Sequence, residues 1–307
     1  MQSKVIAVVG PTASGKTALG IEIAKYFDGE IISSDSMQIY RHLDIGTAKP
    51  SKEEMQGVPH HMIDIADISE SYSVGRFCEE AHEKIKDILS RGKLPILVGG
   101  TGLYIDNLVS GTLWAAPPRD EKLSSELLAF AEKNGSEAVY ERLKRDDPEM
   151  ALKLHPNDLK RVIRSLETVI LTGKTRKELD SESKPYKMPY DCLWLEKDIE
   201  REALYERINR RTDIMIEEGL IEETEKYVLP ERYHMPTALQ AIGYKEALLY
   251  IDGECGKEEM SQLLKRNTRR YAKRQLTWFR RNTEIHLLSE ENAFQEAERL
   301  IRKDVIK

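Results

Sequence analysis

Residues 4–10 (Lys-Val-Ile-Ala-Val-Val-Gly) form a short continuous apolar run, the pattern of a strand buried on both faces. A Gly-rich turn follows, and helical spacing then runs from about Lys16 to Phe27. Residues 30–34 (Glu-Ile-Ile-Ser-Ser) predict a second strand ending at Asp35, and helical character returns near Gly75–Arg91. Residues 94–98 (Leu-Pro-Ile-Leu-Val) predict a third strand, closed by Gly99-Gly100-Thr101-Gly102. Strands alternating with helices predict a parallel α/β sheet.

From Pro117-Pro118 the pattern changes. Residues 119–180 keep helical spacing with no strand signal, and Asn157 has the character of an N-cap for a helix running to Gly173. Residues 190–195 (Tyr-Asp-Cys-Leu-Trp-Leu) predict a strand again. Beyond residue 200 the chain is predicted helical to about Arg281, with a last strand over Glu284–Leu288.

Composition narrows the classes. The 307 residues are long enough to bury a substantial core. No window offers the roughly 18 apolar residues of a membrane span, and the N-terminus runs directly into a strand with no room for a signal peptide. Cys78, Cys192 and Cys255 are far apart and odd in number, which suits neither a disulfide framework nor a zinc site. A reduced, cytoplasmic protein is expected. The adjacent His60 and His61 would point to opposite faces of a strand and are read as structural. The net charge of −6 excludes a uniformly cationic nucleic-acid binder, although an average can hide a basic stripe.

Residues 10–17 read Gly10-Pro11-Thr12-Ala13-Ser14-Gly15-Lys16-Thr17, which is G-x-x-x-x-G-K-[ST] between an apolar strand and a helix. Gly10 and Gly15 permit backbone angles that aim N–H groups inward, and the helix N-terminus adds partial positive charge. Lys16 places a cation on the terminal phosphates, and Thr17 is suited to ligate Mg²⁺. The fold class expected is therefore α/β: a P-loop NTPase-like core with a parallel sheet, residues 1–116 and 189–307, interrupted by a helical insertion domain at 117–188.

The motif names an anion, ATP being a common one, but not a reaction. A GTPase is excluded by the lack of an Asn-Lys-x-Asp guanine signature. The third strand ends in glycines rather than the Mg²⁺-holding acid of an ATPase, and the nearest strand-end acid is Asp35. A kinase remains, or a transferase with pyrophosphate as leaving group. In chemical terms Asp35 suits a general base, a Mg²⁺ ligand or a helix cap. Thr101 suits the satisfaction of a Gly-rich turn, Ser36 a plain N-cap and Met37 plain packing.

Asp35-Ser36-Met37-Gln38-Ile39-Tyr40, Asp44-Ile45-Gly46-Thr47-Ala48-Lys49-Pro50 and Gly99-Gly100-Thr101-Gly102-Leu103-Tyr104 together resemble the tRNA dimethylallyltransferases. Arg207-Ile208-Asn209-Arg210-Arg211, Ala241-Ile242-Gly243-Tyr244-Lys245 and Ala272-Lys273-Arg274-Gln275-Leu276-Thr277-Trp278 extend the resemblance, in order, to about residue 281. It implies transfer of a dimethylallyl group from dimethylallyl diphosphate to N6 of the adenosine 3′ to the anticodon. It further implies that residues 10–17 and Arg211 hold the diphosphate, Lys16 among the catalytic groups, with Mg²⁺ on Thr17. Asp35 would be the general base, with Thr101 also among the catalytic groups. Ser36, Met37 and Gln38 would line the pocket of the flipped adenine, Thr101 would stand beside the tRNA, and Gly243 and Tyr244 would contact it. No zinc-finger segment follows, so the bacterial form, a monomer, is expected.

The basic stripe lies at 265–281, with eight Lys or Arg and no acid. At helical spacing Arg266, Arg269, Arg270, Lys273 and Arg280 form a ridge suited to a phosphate backbone, while Tyr271, Leu276, Trp278 and Phe279 offer apolar area to the core. Arg274 falls in the same stripe. Lys160, Arg161 and Arg164 give the insertion a smaller patch, and with the resemblance it is expected to grip the anticodon stem-loop.

Overall fold

A computed structural model of the chain describes residues 3–111, 117, 119–182 and 190–305. The chain divides into two compact units, one of Met1–Val109 with Met188–Lys307 and one of Ser110–Lys187. The first is built on a parallel sheet. Its strands are β1 (Ser3–Val9), β2 (Gly29–Ser33), β3 (His60–His61), β4 (Leu94–Gly99), β5 (Tyr190–Lys197) and β6 (His286–Leu288), in the spatial order β3-β2-β4-β1-β5-β6. β1 is central, flanked by β4 with Ile6 opposite Ile96 and by β5 with Ile6 opposite Leu193.

The alternation of the pleat divides the core in two. Val5, Ala7 and Val9 join Leu97 and Trp194 on one face, where helices α2 (Val74–Ser90) and α3 (Gly102–Ser110) cover them through Phe77, Ala81, Ile85, Tyr104 and Leu108. Ile6 and Val8 join Val98, Leu193 and Leu195 on the other, covered by α1 (Lys16–Tyr26) through Leu19, Ile21 and Ile23. With both faces covered, the central strands must be apolar at every position, which is why their sequence reads as unbroken runs. Burying each such side chain contributes about 1.5–3 kcal/mol.

The second unit holds α4 (Glu121–Asn134), α5 (Ser136–Asp146), α6 (Pro148–Ala151), α7 (Leu159–Thr172) and α8 (Arg176–Glu182). Leu127, Ala131, Val139, Leu143, Val162 and Leu166 form its own apolar core. Asp147 caps α6 at the Met150 N–H (3.1 Å) and also accepts from the Arg176 N–H (2.7 Å), tying α6 to α8. Gly173 closes α7 at φ 67°, as expected, but its N-cap is Asp158; the Asn157 N–H instead turns back to His155 Nδ1 at 3.2 Å.

The chain then returns to the first unit. α9 (Arg201–Glu217) and α10 (Leu220–Glu223) lead into a π turn over Thr224–Val228, followed by α11 (Tyr244–Ile251) and α12 (Lys257–Phe279). Phe279 and Leu264 of α12 enter the core of the α2 face. α13 (Ala293–Asp304) joins α1 on the other face through Ala297 and Ile301. The sequence pattern did not predict β3 or α13, and the last strand begins at His286 rather than Glu284. No helix among the described residues is long and apolar enough to cross a membrane.

Candidate functional site

The phosphate loop leaves β1 and enters α1 through left-handed backbone at Ala13 (φ 64°) and Gly15 (φ 75°). Alternation of this kind turns successive N–H groups toward one point. Gly15 is also the N-cap of α1 and offers no side-chain cap, so the first-turn N–H groups stay free for an anion. Lys16 Nζ donates to the Pro11 carbonyl at 3.1 Å. The residue is half-buried, but its ammonium end is enclosed, and burial pulls it down to about 8; Asp35 and Glu196 oppose that fall and Arg211 adds to it. Thr17, in the first turn, is half-buried.

The loop is held from behind by Gln275 of α12, which is 5% exposed. Its Oε1 accepts from the Thr12 N–H (2.9 Å) and its Nε2 donates to the Gly100 carbonyl (2.9 Å). One amide thus fastens the end of β1, the end of β4 and the basic helix together. The fit is tight: a Cβ on Gly100 would lie 2.1 Å from Gln275 Nε2.

Asp35 follows β2 at the same edge of the sheet, where ligands bind in open α/β folds. Its Oδ1 accepts from the Met37 N–H (2.9 Å) and, at 3.4 Å, from the Gln38 N–H, so it does cap the turn. Oδ2 takes no hydrogen bond from the described residues. Thr101 is committed to the same turn: its Oγ1 accepts from the Ser36 N–H (3.1 Å) and donates to Ser36 Oγ (3.4 Å). Gln38 Nε2 donates to the carbonyls of Thr47 (3.3 Å) and Ala48 (3.2 Å), so that side chain builds the wall behind the pocket.

The phosphate loop and Asp35 meet in one pocket of about 200 Å³, whose lining includes neither Gln38 nor Thr101. Thr12, Lys16 and Arg211 supply its polar end; Asp35, Ser36 and Met37 line it from β2; Tyr271, Arg274 and Gln275 line it from α12. Ile208, Met215, Ile242 and Leu264 give it apolar wall. The hydroxyls of Thr212 and Thr268, which also face it, donate to their own helices at the carbonyls of Ile208 (2.9 Å) and Leu264 (2.8 Å) and so add little polarity. Arg211 reaches from α9 to Thr12 Oγ1 (3.5 Å) and the Ala48 carbonyl (3.3 Å). It faces the phosphate loop and makes no ion pair with Glu217 or Glu218.

Sequence reasoning missed Glu196, the last acid of β5, which stands opposite Val9 in register. It is 7% exposed, and its Oε1 has no hydrogen-bond partner. A Cβ on Gly10 would lie 3.5 Å from that oxygen and 3.3 Å from Ser14 Oγ, itself buried and unpartnered. Burial pushes the Glu196 carboxyl up to about 7 against the pull of Arg280 and Lys16, with Asp198 adding to the rise.

Several residues lie elsewhere than expected. Tyr244 is fully buried and its hydroxyl donates to Glu223 at 2.6 Å, and Gly243 is buried beside it, so neither is open to a tRNA. Arg207 pairs with Glu290. On α12, Lys265 pairs with Asp213 (2.5 Å) and Arg269 donates to Asn209 of α9, which leaves Arg266, Arg270, Lys273 and Arg280 as the exposed ridge. Arg274 stacks over Tyr271 at 5.6 Å and lines the pocket. In the helical unit Lys160 and Arg161 are exposed, Arg161 pairing with Asp158 (3.5 Å), and Arg164 is tied to the Pro117 carbonyl (2.6 Å) and Glu167 (3.2 Å).

A phosphate loop opening on a cationic end and an apolar wall, with a carboxylate beside them, defines an α/β protein whose pocket suits a phosphorylated ligand carrying an apolar group. Residues 38–282 match the model of a family described as IPP transferase, and the chain belongs to that family. It is 49% identical over 279 residues to a tRNA dimethylallyltransferase of Exiguobacterium sp., covering 91% of this chain and 88% of that one. It is 48% identical to a tRNA dimethylallyltransferase of Halalkalibacterium halodurans, covering 93% and 90%. Among solved structures it resembles the tRNA isopentenylpyrophosphate transferase of Bacillus halodurans (45% identity, TM-score 0.72, 98% and 96% covered). It also resembles a eukaryotic dimethylallyltransferase acting on tRNA (33% identity, TM-score 0.82, 99% and 79% covered).

Proposed function

We infer that this chain transfers the dimethylallyl group of dimethylallyl diphosphate to N6 of the adenosine 3′ to the anticodon in tRNA, releasing pyrophosphate. The observation that carries the reading is the convergence of Lys16, Arg211 and Asp35 on one pocket with apolar wall, in a chain nearly half identical to enzymes of that name. The allylic C1–O bond breaks as the N6–C1 bond forms. Positive charge grows on C1 and negative charge on the departing pyrophosphate. The loop N–H groups, Lys16 and Arg211 stabilise that anion through charges already in place. The adenine amine is a weak nucleophile because its lone pair is delocalised into the ring. Asp35 takes its proton at Oδ2 while Oδ1 stays fixed by the Met37 N–H.

A divalent ion fits this site only in company with the substrate's phosphates. No three His, Cys, Asp or Glu side chains among the described residues group as metal ligands. Mg²⁺ is commonly held by few protein groups, with phosphate oxygens and water completing the shell. The Thr17 hydroxyl would hold it, and the ion would neutralise charge on the leaving pyrophosphate.

Arg266, Arg270, Lys273 and Arg280 give α12 an exposed cationic face for the tRNA backbone, and Lys160 and Arg161 add cations in the helical unit. On this reading the enzyme works as a monomer, in the cytoplasm where its tRNA is modified. The test is incubation with labelled dimethylallyl diphosphate and unmodified tRNA, AMP, or ATP with small acceptors. Label appearing in tRNA at the adenosine beside the anticodon supports the reading. Turnover that consumes ATP stoichiometrically would sink it in favour of a kinase or ATPase.

A further inference from the structure

The segment Asp44–Ala48 is held by side chains distant in sequence. The carboxylate of Glu223, at the end of α10, accepts from three successive backbone N–H groups: Asp44 (3.0 Å) and Ile45 (3.0 Å) on Oε2 and Gly46 (3.1 Å) on Oε1. The Tyr244 hydroxyl adds a fourth donor on Oε1 at 2.6 Å. Four donors on one acceptor require a carboxylate, because a Gln side chain would turn an NH₂ group toward N–H or O–H donors. The buried Tyr244 ring packs closely on the loop, and a Cβ on Gly46 would fall 2.4 Å from Tyr244 Cζ.

The other edge of the segment faces the substrate. Gly46, Thr47 and Ala48 line the pocket. Ala48 is held at φ 48°, a left-handed conformation that a non-Gly residue adopts only under constraint. Its carbonyl accepts from Arg211 Nη2 at 3.3 Å, while Arg211 Nη1 lies 3.5 Å from Thr12 Oγ1 of the phosphate loop. An unbroken line of polar contacts therefore runs from Glu223 through the loop to the guanidinium that faces the anion.

We propose that Glu223 is a positioning residue for the transfer reaction: with Tyr244 it clamps residues 44–48 so that the Ala48 carbonyl aims Arg211 at the leaving diphosphate. The assignment rests on the reading of the pocket as a diphosphate site. It also gives a physical reason for the Asp44–Ala48 and Gly243-Tyr244 motifs.

The test compares wild type with Glu223→Gln and Tyr244→Phe in the full chain. Three quantities are read: steady-state transfer against donor concentration, calorimetric binding of inorganic pyrophosphate with Mg²⁺, and tRNA affinity. Misplacing a charge by about 1 Å costs up to about 10²-fold, so Glu223→Gln should lower kcat/KM for the donor by about 10–100-fold. Pyrophosphate binding should weaken in parallel, and tRNA affinity should stay within about twofold. Tyr244→Phe keeps the ring against Gly46 and removes one donor, so its effect should run in the same direction and be smaller. Donor KM and pyrophosphate affinity at wild-type values in both variants would overturn the proposal, even if thermal stability fell, since that is the signature of a purely structural contact. If wild type binds pyrophosphate but transfers no prenyl group, the functional reading fails, and the pyrophosphate arm still decides the clamp.

Discussion

Glu196 makes the pH dependence of stability calculable. The carboxyl is shielded from water beneath the phosphate loop, with one oxygen unpartnered, and is held at about 7 against an ordinary value of 4.5. The charged groups acting on it are Arg280 and Lys16, which favour ionisation, and Asp198, which opposes it. Below pH 4.5 the group is neutral in folded and unfolded chains alike and adds no pH-dependent term. Between 4.5 and about 7 the unfolded chain releases the proton while the folded chain retains it, so stability falls as pH rises. Above about 7 both forms are ionised and the full cost, about 3 kcal/mol, is in place. Glu196→Gln is nearly isosteric and cannot ionise, and its amide can donate to the unpartnered Ser14 hydroxyl nearby. The variant should match wild type near pH 4.5 and exceed it by about 3 kcal/mol at pH 8, or about 5 °C in Tm for a chain of this length. Ligand-free calorimetric melts across that range measure the difference. A Tm difference between variant and wild type that does not grow from pH 5 to pH 8 would refute the reasoning, and Glu196 would then be ionised and solvated in the folded protein.

Asp35→Asn retains the Oδ1 acceptor that holds the Met37 N–H but cannot take a proton. Single-turnover transfer with saturating donor and tRNA should fall by about 10²–10⁴, with tRNA affinity changing by less than about tenfold; a near wild-type rate would reduce Asp35 to its capping role. Replacing Arg266, Arg270 and Lys273 together by Gln should weaken tRNA binding and flatten its salt dependence by about 0.7–0.9 log unit per lost phosphate contact. An unchanged slope in a filter-binding titration would mean that this ridge only faces water. Arg269 is better left alone, because its bond to Asn209 joins α12 to α9.

What the sequence made legible follows the range of each interaction. β1, β2, β4 and β5 were readable because burial on both faces forces unbroken apolar runs, and the phosphate loop because its backbone requires particular residues within eight positions. β3 offers only two polar residues, too few for a period, and exists because the Ile31 N–H and its neighbours have the 59–61 strip to pair with. α13 carries its apolar side at Ala293, Ala297 and Ile301, a helical spacing legible in the sequence. Glu196 was equally available: Leu193-Trp194-Leu195 followed by an acid is a strand ending in a carboxylate, sought on the third strand and found on the neighbour at the other side of β1.

Glu223, Gln275 and Tyr244 belong to a different category. Glu223 meets Asp44 across 179 positions and Gln275 meets Thr12 across 263, so no local pattern marks either. Each instead supplies what a neighbouring backbone lacks: acceptors for three N–H groups of a loop that forms no regular structure, and a paired donor and acceptor for two strand ends. Such groups follow from the rule that enclosed backbone N–H and C=O must be satisfied by something. Asking of every predicted loop where its hydrogen bonds go would therefore have pointed to the need for these side chains, though not to their positions. The motif around Gly243-Tyr244 shows the converse. Its residues accompany a tRNA-modifying pattern, which suggests tRNA contacts, whereas the packing of Tyr244 on Gly46 makes them necessary to the wall of the pocket. Association with a function identified the right residues, and only the geometry of the Glu223 carboxylate gives the reason.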